Sequence, residues 1–198
     1  MIIAPPTPDQ ATGHVADMYA DDHTVDGFVY AHTQAMAVNP EAHEAFEALI
    51  RAIVPSIGLR NYELVTLAAA RGIRSAHCLL AHGRKTLRAE VMDEDQLMSV
   101  AADYREADLT EAEVAMMAYA EKLSTDAASM TDEDSQVLRD LGFTDRQIVD
   151  ITLAAAARNF FSRTLQALAV PVDDVPGLSP RLRGALLGPT RRTADASA

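Results

Sequence analysis

Five residues in one stretch of this 198-residue chain have types and spacing suited to chemistry: Glu63, Ser75, His77, Cys78 and His82. Cys78 and His82 stand four residues apart, so a helix carries both on one face. An imidazole one turn from a thiol can take its proton and stabilise the thiolate, the reactive form of cysteine. Gly72 is placed to break the helix containing Glu63, and Ser75 is then a good N-cap for the next helix. In that register Cys78 sits in the first turn, where unpaired backbone N–H groups and the positive end of the helix dipole favour a thiolate. His77 points elsewhere, and an antiparallel or sharply bent helix pair brings Glu63 near His82. Each residue also has a plain structural role open to it. A cysteine in an Ala-rich helix packs as a small core residue. His82 can be a buried, hydrogen-bonded ring, and Glu63 a favourable charge near a helix start.

Cys78 is the chain's one cysteine, which excludes an internal disulfide and a multi-thiolate zinc site. Cys78 and His82 supply two ligands and His77 faces another way, so neither a metal centre nor a cofactor is expected. His14, His23, His32 and His43 recur at spacings that share no metal-binding face, and they are expected at the surface. The scattered methionines are expected as core filling, and Phe160 and Phe161 as core aromatics or the lining of a pocket beside Cys78.

The elements that must hold these residues are helices. Thr7-Pro8-Asp9-Gln10 offers an N-cap, a proline at N1 and a Gln at N3, predicting a helix to about Asp21. A second is expected from about Asp26 to Val38. A third starts at Asn39-Pro40 and stops near Pro55. Capping boxes at Thr110, Thr131 and Thr144 open three more, with Gly142 ending the second of these and Pro171 following the last. No segment alternates Val, Ile and Thr as a strand would. With 36 alanines and 9 glycines, the predicted fold is all-α.

The stretch GLRNYELVTLAAARGIRSAHCLL from Gly58 resembles GFTDRQIVDITLAAAARNFFSRT from Gly142, at an offset of 84 residues. Under it Arg74 matches Arg158, Cys78 falls opposite Ser162 and His82 opposite Gln166. A structural duplication would pack two similar helix pairs around one core. Residues 1–174 read as one helical domain. Residues 175–198, with Arg181, Arg183, Arg191 and Arg192, read as a loosely docked, partly mobile C-terminal tail.

Seventeen Lys+Arg against 29 Asp+Glu give a net charge of −12, which argues against nucleic acid and against a polybasic membrane patch. The sequence holds no apolar run of about 18 residues, so no membrane span is expected. MIIAPPTPDQ has neither the basic nor the long apolar region of a signal peptide, making a cytoplasmic location the expectation.

Glu-x11-Ser-x-His-Cys-x3-His, as Glu63, Ser75, His77, Cys78 and His82, resembles the signature of the AhpD-like alkylhydroperoxidases of the carboxymuconolactone decarboxylase superfamily. PDQATGHVADMY and FTDRQIVDITLAAAARNFFSR resemble the flanks of peroxidase-related members. The resemblance implies an AhpD-like helical bundle assembled as a homo-oligomer, a trimer or hexamer. It implies Cys78 as the peroxide-attacking thiol, His82 as its proton acceptor, Glu63 as the relay carboxylate and His77 as an auxiliary member. Ser75 stands where the family has its first cysteine, so the two-cysteine cycle is excluded. What remains is a one-cysteine peroxidase acting on hydroperoxides with an external thiol donor, a decarboxylase-like non-redox enzyme acting on a carboxylated lactone, or a binding protein. The Ser75 hydroxyl is expected to cap the helix and donate to the thiolate.

Overall fold

The computed structural model describes residues 1–190. Among these the chain forms α1 (His14–Asp26), α2 (Ala31–Met36), α3 (Pro40–Gly72), α4 (Ala76–Arg88), α5 (Glu94–Asp103), α6 (Glu111–Asp126), α7 (Asp132–Asp140), α8 (Asp145–Ala167) and α9 (Pro180–Leu187), with no strand. The all-α expectation is met. No helix among the described residues is long and apolar enough to cross a membrane.

The helix starts follow the local chemistry closely. Thr110, Thr131 and Thr144 each close a reciprocal capping box, with the N3 side chain returning to the cap. Asn39 caps α3 by accepting the Ala42 N–H at 3.0 Å, with Pro40 at N1. Asp93 caps α5 by accepting the Gln96 N–H at 2.8 Å, a short helix that sequence reading passed over.

Four expectations need correction. The first helix opens at His14, not near Thr7. Gln10 does accept the Thr7 N–H at 3.1 Å, but Gly13 takes φ 54° and only a turn forms before it. α2 is shorter than expected because Gly27, at φ 81°, ends α1 and the chain stays extended at Tyr30. α3 does not stop at Pro55. Its break comes three residues later at Gly58 (φ 79°, ψ 156°), and a second half follows to Gly72. The C-terminal segment is not loosely docked over its described length. Ser179 caps α9 with Pro180 at N1, and Leu182 and Leu186, one turn apart, are fully buried against α4 and α5. Arg191 and Arg192 lie outside the described residues.

The second half of α3 runs through the centre of the molecule, packed against α8, α6 and α4. Leu64, Val65 and Ala68–Ala70 on α3 and Ile151, Ala154 and Ala155 on α8 are all essentially without solvent contact. Small side chains on both helices let the axes approach closely. The expected pair of helix pairs is only half realised. Gly58 and Gly142 (φ 94°) play the same role. Then the first segment breaks, with Arg74 at φ 55° between α3 and α4, while α8 continues unbroken to Ala167.

Candidate functional site

Ser75 stands at the N-cap of α4, so His77 is its second residue and Cys78 its third, as the sequence requires. Cys78 is buried at 2% exposure. Its Sγ accepts hydrogen bonds from Ser162 Oγ at 2.9 Å and from Arg158 Nη1 at 3.5 Å, both on α8. Arg158 is itself buried and donates its other terminal nitrogen to the Tyr62 hydroxyl at 3.3 Å. Burial opposes the charge on Arg158, but Cys78 and Tyr62 outweigh it and the guanidinium is held above its ordinary value. The sulfur thus lies in the first turn of α4 with a buried guanidinium and a hydroxyl both donating to it.

The second constituent is a buried pair. His82 Nδ1 and Glu63 Oε2 are 2.7 Å apart, on α4 and α3. Burial, with the Arg158 charge second, pushes His82 down to about 4, so the ring is neutral at pH 7. Burial alone would raise Glu63; its contact with His82 more than offsets this and holds the carboxyl below its usual value. The pair therefore rests as carboxylate and neutral imidazole. Nδ1–H donates to Glu63, and Nε2 is left as a proton acceptor for the cavity that His82 lines.

Cys78, His82 and Arg158 open onto one cavity of about 560 Å³, which runs along the length of α1 from His14 to Asp26. Its inner wall carries Tyr62, His77, Phe161 and His32. Lys85, one turn beyond Ala81 on α4, reaches into it. That ammonium stays accessible to cavity water, yet protein surrounds it closely enough that burial pushes it below its ordinary value. The lining mixes aromatic rings with cationic groups near Cys78 and with the carboxylates of α1, a combination that suits a small polar organic molecule.

The structure thus brings Cys78 and His82 to one cavity, with Glu63 buried behind His82 and outside the lining. Cys78 has no direct hydrogen bond to His82; its partners are Ser162 and Arg158. His77 is not in the Glu63–His82 pair: its Nε2–H donates to the Pro171 carbonyl at 3.0 Å. The Ser75 hydroxyl, buried, makes neither a capping bond nor a contact with the thiol, because the Ser75 Oγ has no hydrogen-bond partner. Ser162 supplies that donor instead. Sequence reading named Arg158 and Ser162 only as repeat partners of Arg74 and Cys78, and gave Lys85 and Tyr62 no role. The signal was there in the 84-residue offset, but only folding turns an alignment into a contact. The histidine expectation also needs correction. His32 lines the cavity rather than the surface, and burial pushes it down to about 3. His14 and His43 face each other at 3.3 Å.

Residues 40–122, which contain Glu63, Ser75, Cys78 and His82, match the model of the carboxymuconolactone decarboxylase family. That match covers the segment bearing the candidate site, and the chain as a whole has the AhpD-like fold. Similar folds come from several solved structures. An uncharacterised peroxidase-related protein with an alkylhydroperoxidase AhpD core, from Ralstonia eutropha, superposes with TM-score 0.74 at 22% identity, covering 87% of this chain and 92% of that one. The debrominase Bmp8, whose cysteine-to-alanine variant is known in complex with 2,3,4-tribromopyrrole, superposes with TM-score 0.75 at 18% identity, covering 96% and 97%. A protein of unknown function from Agrobacterium tumefaciens gives TM-score 0.58 at 28% identity over 70% of this chain and 95% of its own. No curated protein sequence matches the chain.

Proposed function

We propose that this protein is a thiol-dependent oxidoreductase of the AhpD-like class, reducing organic hydroperoxides through Cys78 in a one-cysteine cycle. The observation that carries the reading is the pair of donors, Arg158 and Ser162, aimed at Cys78 Sγ inside a cavity that also holds a neutral His82. His82 Nε2 takes the thiol proton, directly or through one cavity water, and Glu63 stabilises the imidazolium that results. The thiolate attacks the terminal peroxide oxygen. An S–O bond forms, the O–O bond breaks and the alkoxide leaves, collecting the proton from His82; the products are Cys78 sulfenic acid and an alcohol. A first external thiol condenses with the sulfenic acid to a mixed disulfide and water. A second releases Cys78 and an external disulfide. The external donor is required because no second cysteine exists.

The test is intact-mass spectrometry after brief exposure to a small organic hydroperoxide with a sulfenic-acid trap present. Fast trapping at Cys78, slowed in His82→Asn and Arg158→Met, is the expected result. Oxidation no faster than a free thiol, and indifferent to both substitutions, overturns the reading.

One observation favours a second reading. The Glu63–His82 pair is complete without Cys78, and Lys85 and Arg158 supply positive charge to the same cavity. Proton transfer on a carboxylated lactone would use that set alone, and its mark is turnover that survives Cys78→Ser and fails in His82→Asn. Assembly as a homotrimer or hexamer is part of either reading. Val149, Leu153 and Phe160 are exposed along one side of α8, an apolar stripe that suits a contact between copies. Light scattering at varied concentration measures it.

A further inference from the structure

His14 is the first residue of α1, and His43 and Glu47 stand one turn apart on α3. His14 Nε2 and His43 Nδ1 are 3.3 Å apart, and each lies 3.9 Å from Glu47 Oε2. A point equidistant from three atoms so placed lies about 2.2 Å from each, against Zn–N and Zn–O bond lengths of about 2.0–2.2 Å. That point lies in the plane of the three atoms; a tetrahedral ion would draw Glu47 Oε2 inward by about 0.5 Å, a small shift for a half-exposed side chain. We propose that His14, His43 and Glu47 form a binding site for a divalent transition-metal ion of the Zn²⁺ type, with its open coordination position turned to the cavity.

The donor set decides the class of ion. Two imidazoles and one carboxylate suit zinc and its neighbours, and disfavour Ca²⁺ and Mg²⁺, which prefer all-oxygen shells. Three protein ligands leave a fourth position, which water or a ligand oxygen can take from the cavity that all three residues line. Charges of both signs border the cavity: Asp17, Asp21 and Asp22 favour a cation, while Arg51, Lys85 and Arg88 oppose one. The competing interactions are weak: one shared proton between the two rings, and Arg51 at 3.7 Å from Glu47, exposed on the helix surface. The proposal is independent of the redox reading, since Cys78 and His82 take no part in it.

The experiment is titration of the full-length protein, stripped with chelator, with Co²⁺ followed by its visible d–d absorption, then displacement with Zn²⁺. The expected result is saturable binding with a nitrogen–oxygen spectrum, unchanged in Cys78→Ser. His43→Ala should weaken it by about 100-fold or more, given that supporting residues alone are worth 10–100-fold at metal sites. Glu47→Gln, at a half-exposed position that leaves the fold intact, should weaken it too. Metal-free melting curves of each variant establish that the protein is folded. A featureless titration overturns the proposal, as does binding indifferent to both substitutions. A sulfur-to-metal charge-transfer band lost in Cys78→Ser also overturns it, because the ion is then held by the thiol.

Discussion

The segments from Gly58 and from Gly142 begin alike and end differently. Both open at a glycine with positive φ and continue as an Ala-rich helix through the core. The first is then cut at Gly72–Ser75, and the cut creates a new helix N-terminus three residues before Cys78. The second runs unbroken, and the same positions deliver Arg158 and Ser162 from the flank of a continuous helix. One pattern thus makes two different parts: a broken helix that places the thiol in a first turn, and an unbroken one that presents two donors to it. A helix break costs backbone hydrogen bonds, and here it leaves free N–H groups in the same first turn that holds Cys78.

The sharpest way to break this division of labour is to remove the donors. Arg158→Met should lower the rate of Cys78 oxidation by about 10²–10³-fold, the usual worth of one preorganised charge donor. Ser162→Ala should cost about tenfold or less, as a neutral hydrogen bond does. Stopped-flow oxidation with a hydroperoxide measures both, and equal effects would mean that the two donors are not distinct.

Next comes pH. In the folded protein His82 titrates at about 4, below the ordinary 6.5, because it is buried beside Arg158. The unfolded chain therefore binds the extra proton between those values. Stability from this residue is complete above about pH 6.5 and declines as pH falls toward 4, by an amount on the order of 3 kcal/mol. His32, held down to about 3 by burial, acts in the same direction. Urea midpoints across pH 4–7 should show the decline, and His82→Asn should flatten it.

A third change asks whether the break itself needs Gly72. A Cβ there would meet the Glu121 carbonyl at 3.1 Å and Ser124 Cβ at 3.2 Å on α6. Gly72→Ala should destabilise by about 1–3 kcal/mol. Its counterpart Ala156 is exposed and carries that methyl freely. Chemical denaturation of Gly72→Ala and Ala156→Gly side by side compares them. The smallest effect tests the shared beginning. Gly58→Ala and Gly142→Ala should each cost about 1–2 kcal/mol, since neither has a steric obstacle and both carry positive φ. A large difference between the two would mean that the segments are less alike than their backbones.

Much of this molecule can be read locally. Capping boxes at Thr110, Thr131 and Thr144 act over three residues, so their helices begin where the sequence says. Gly72, Ser75 and the spacing of Cys78 and His82 likewise place the thiol in a first turn. The family signature then names Glu63, which the fold pairs with His82. Errors arose where a local signal met a competing one. Thr7 and Gln10 form their capping bond, but Gly13 stops a helix from following. Pro55 is tolerated near the end of a helix that Gly58 ends anyway. Ser75 occupies its cap position without the bond, because the hydroxyl is sealed from any partner.

By itself, then, the sequence determined the capped helix starts and the break before Cys78, because these depend on neighbours within about one turn, and it holds no second cysteine. Only the tertiary structure decided what faces the thiol and what surrounds the cavity. Arg158 comes from 80 residues away to Cys78, and His14 meets His43 from a different helix. Such contacts depend on how whole helices pack against one another, a property of three-dimensional fit that no spacing along the chain encodes.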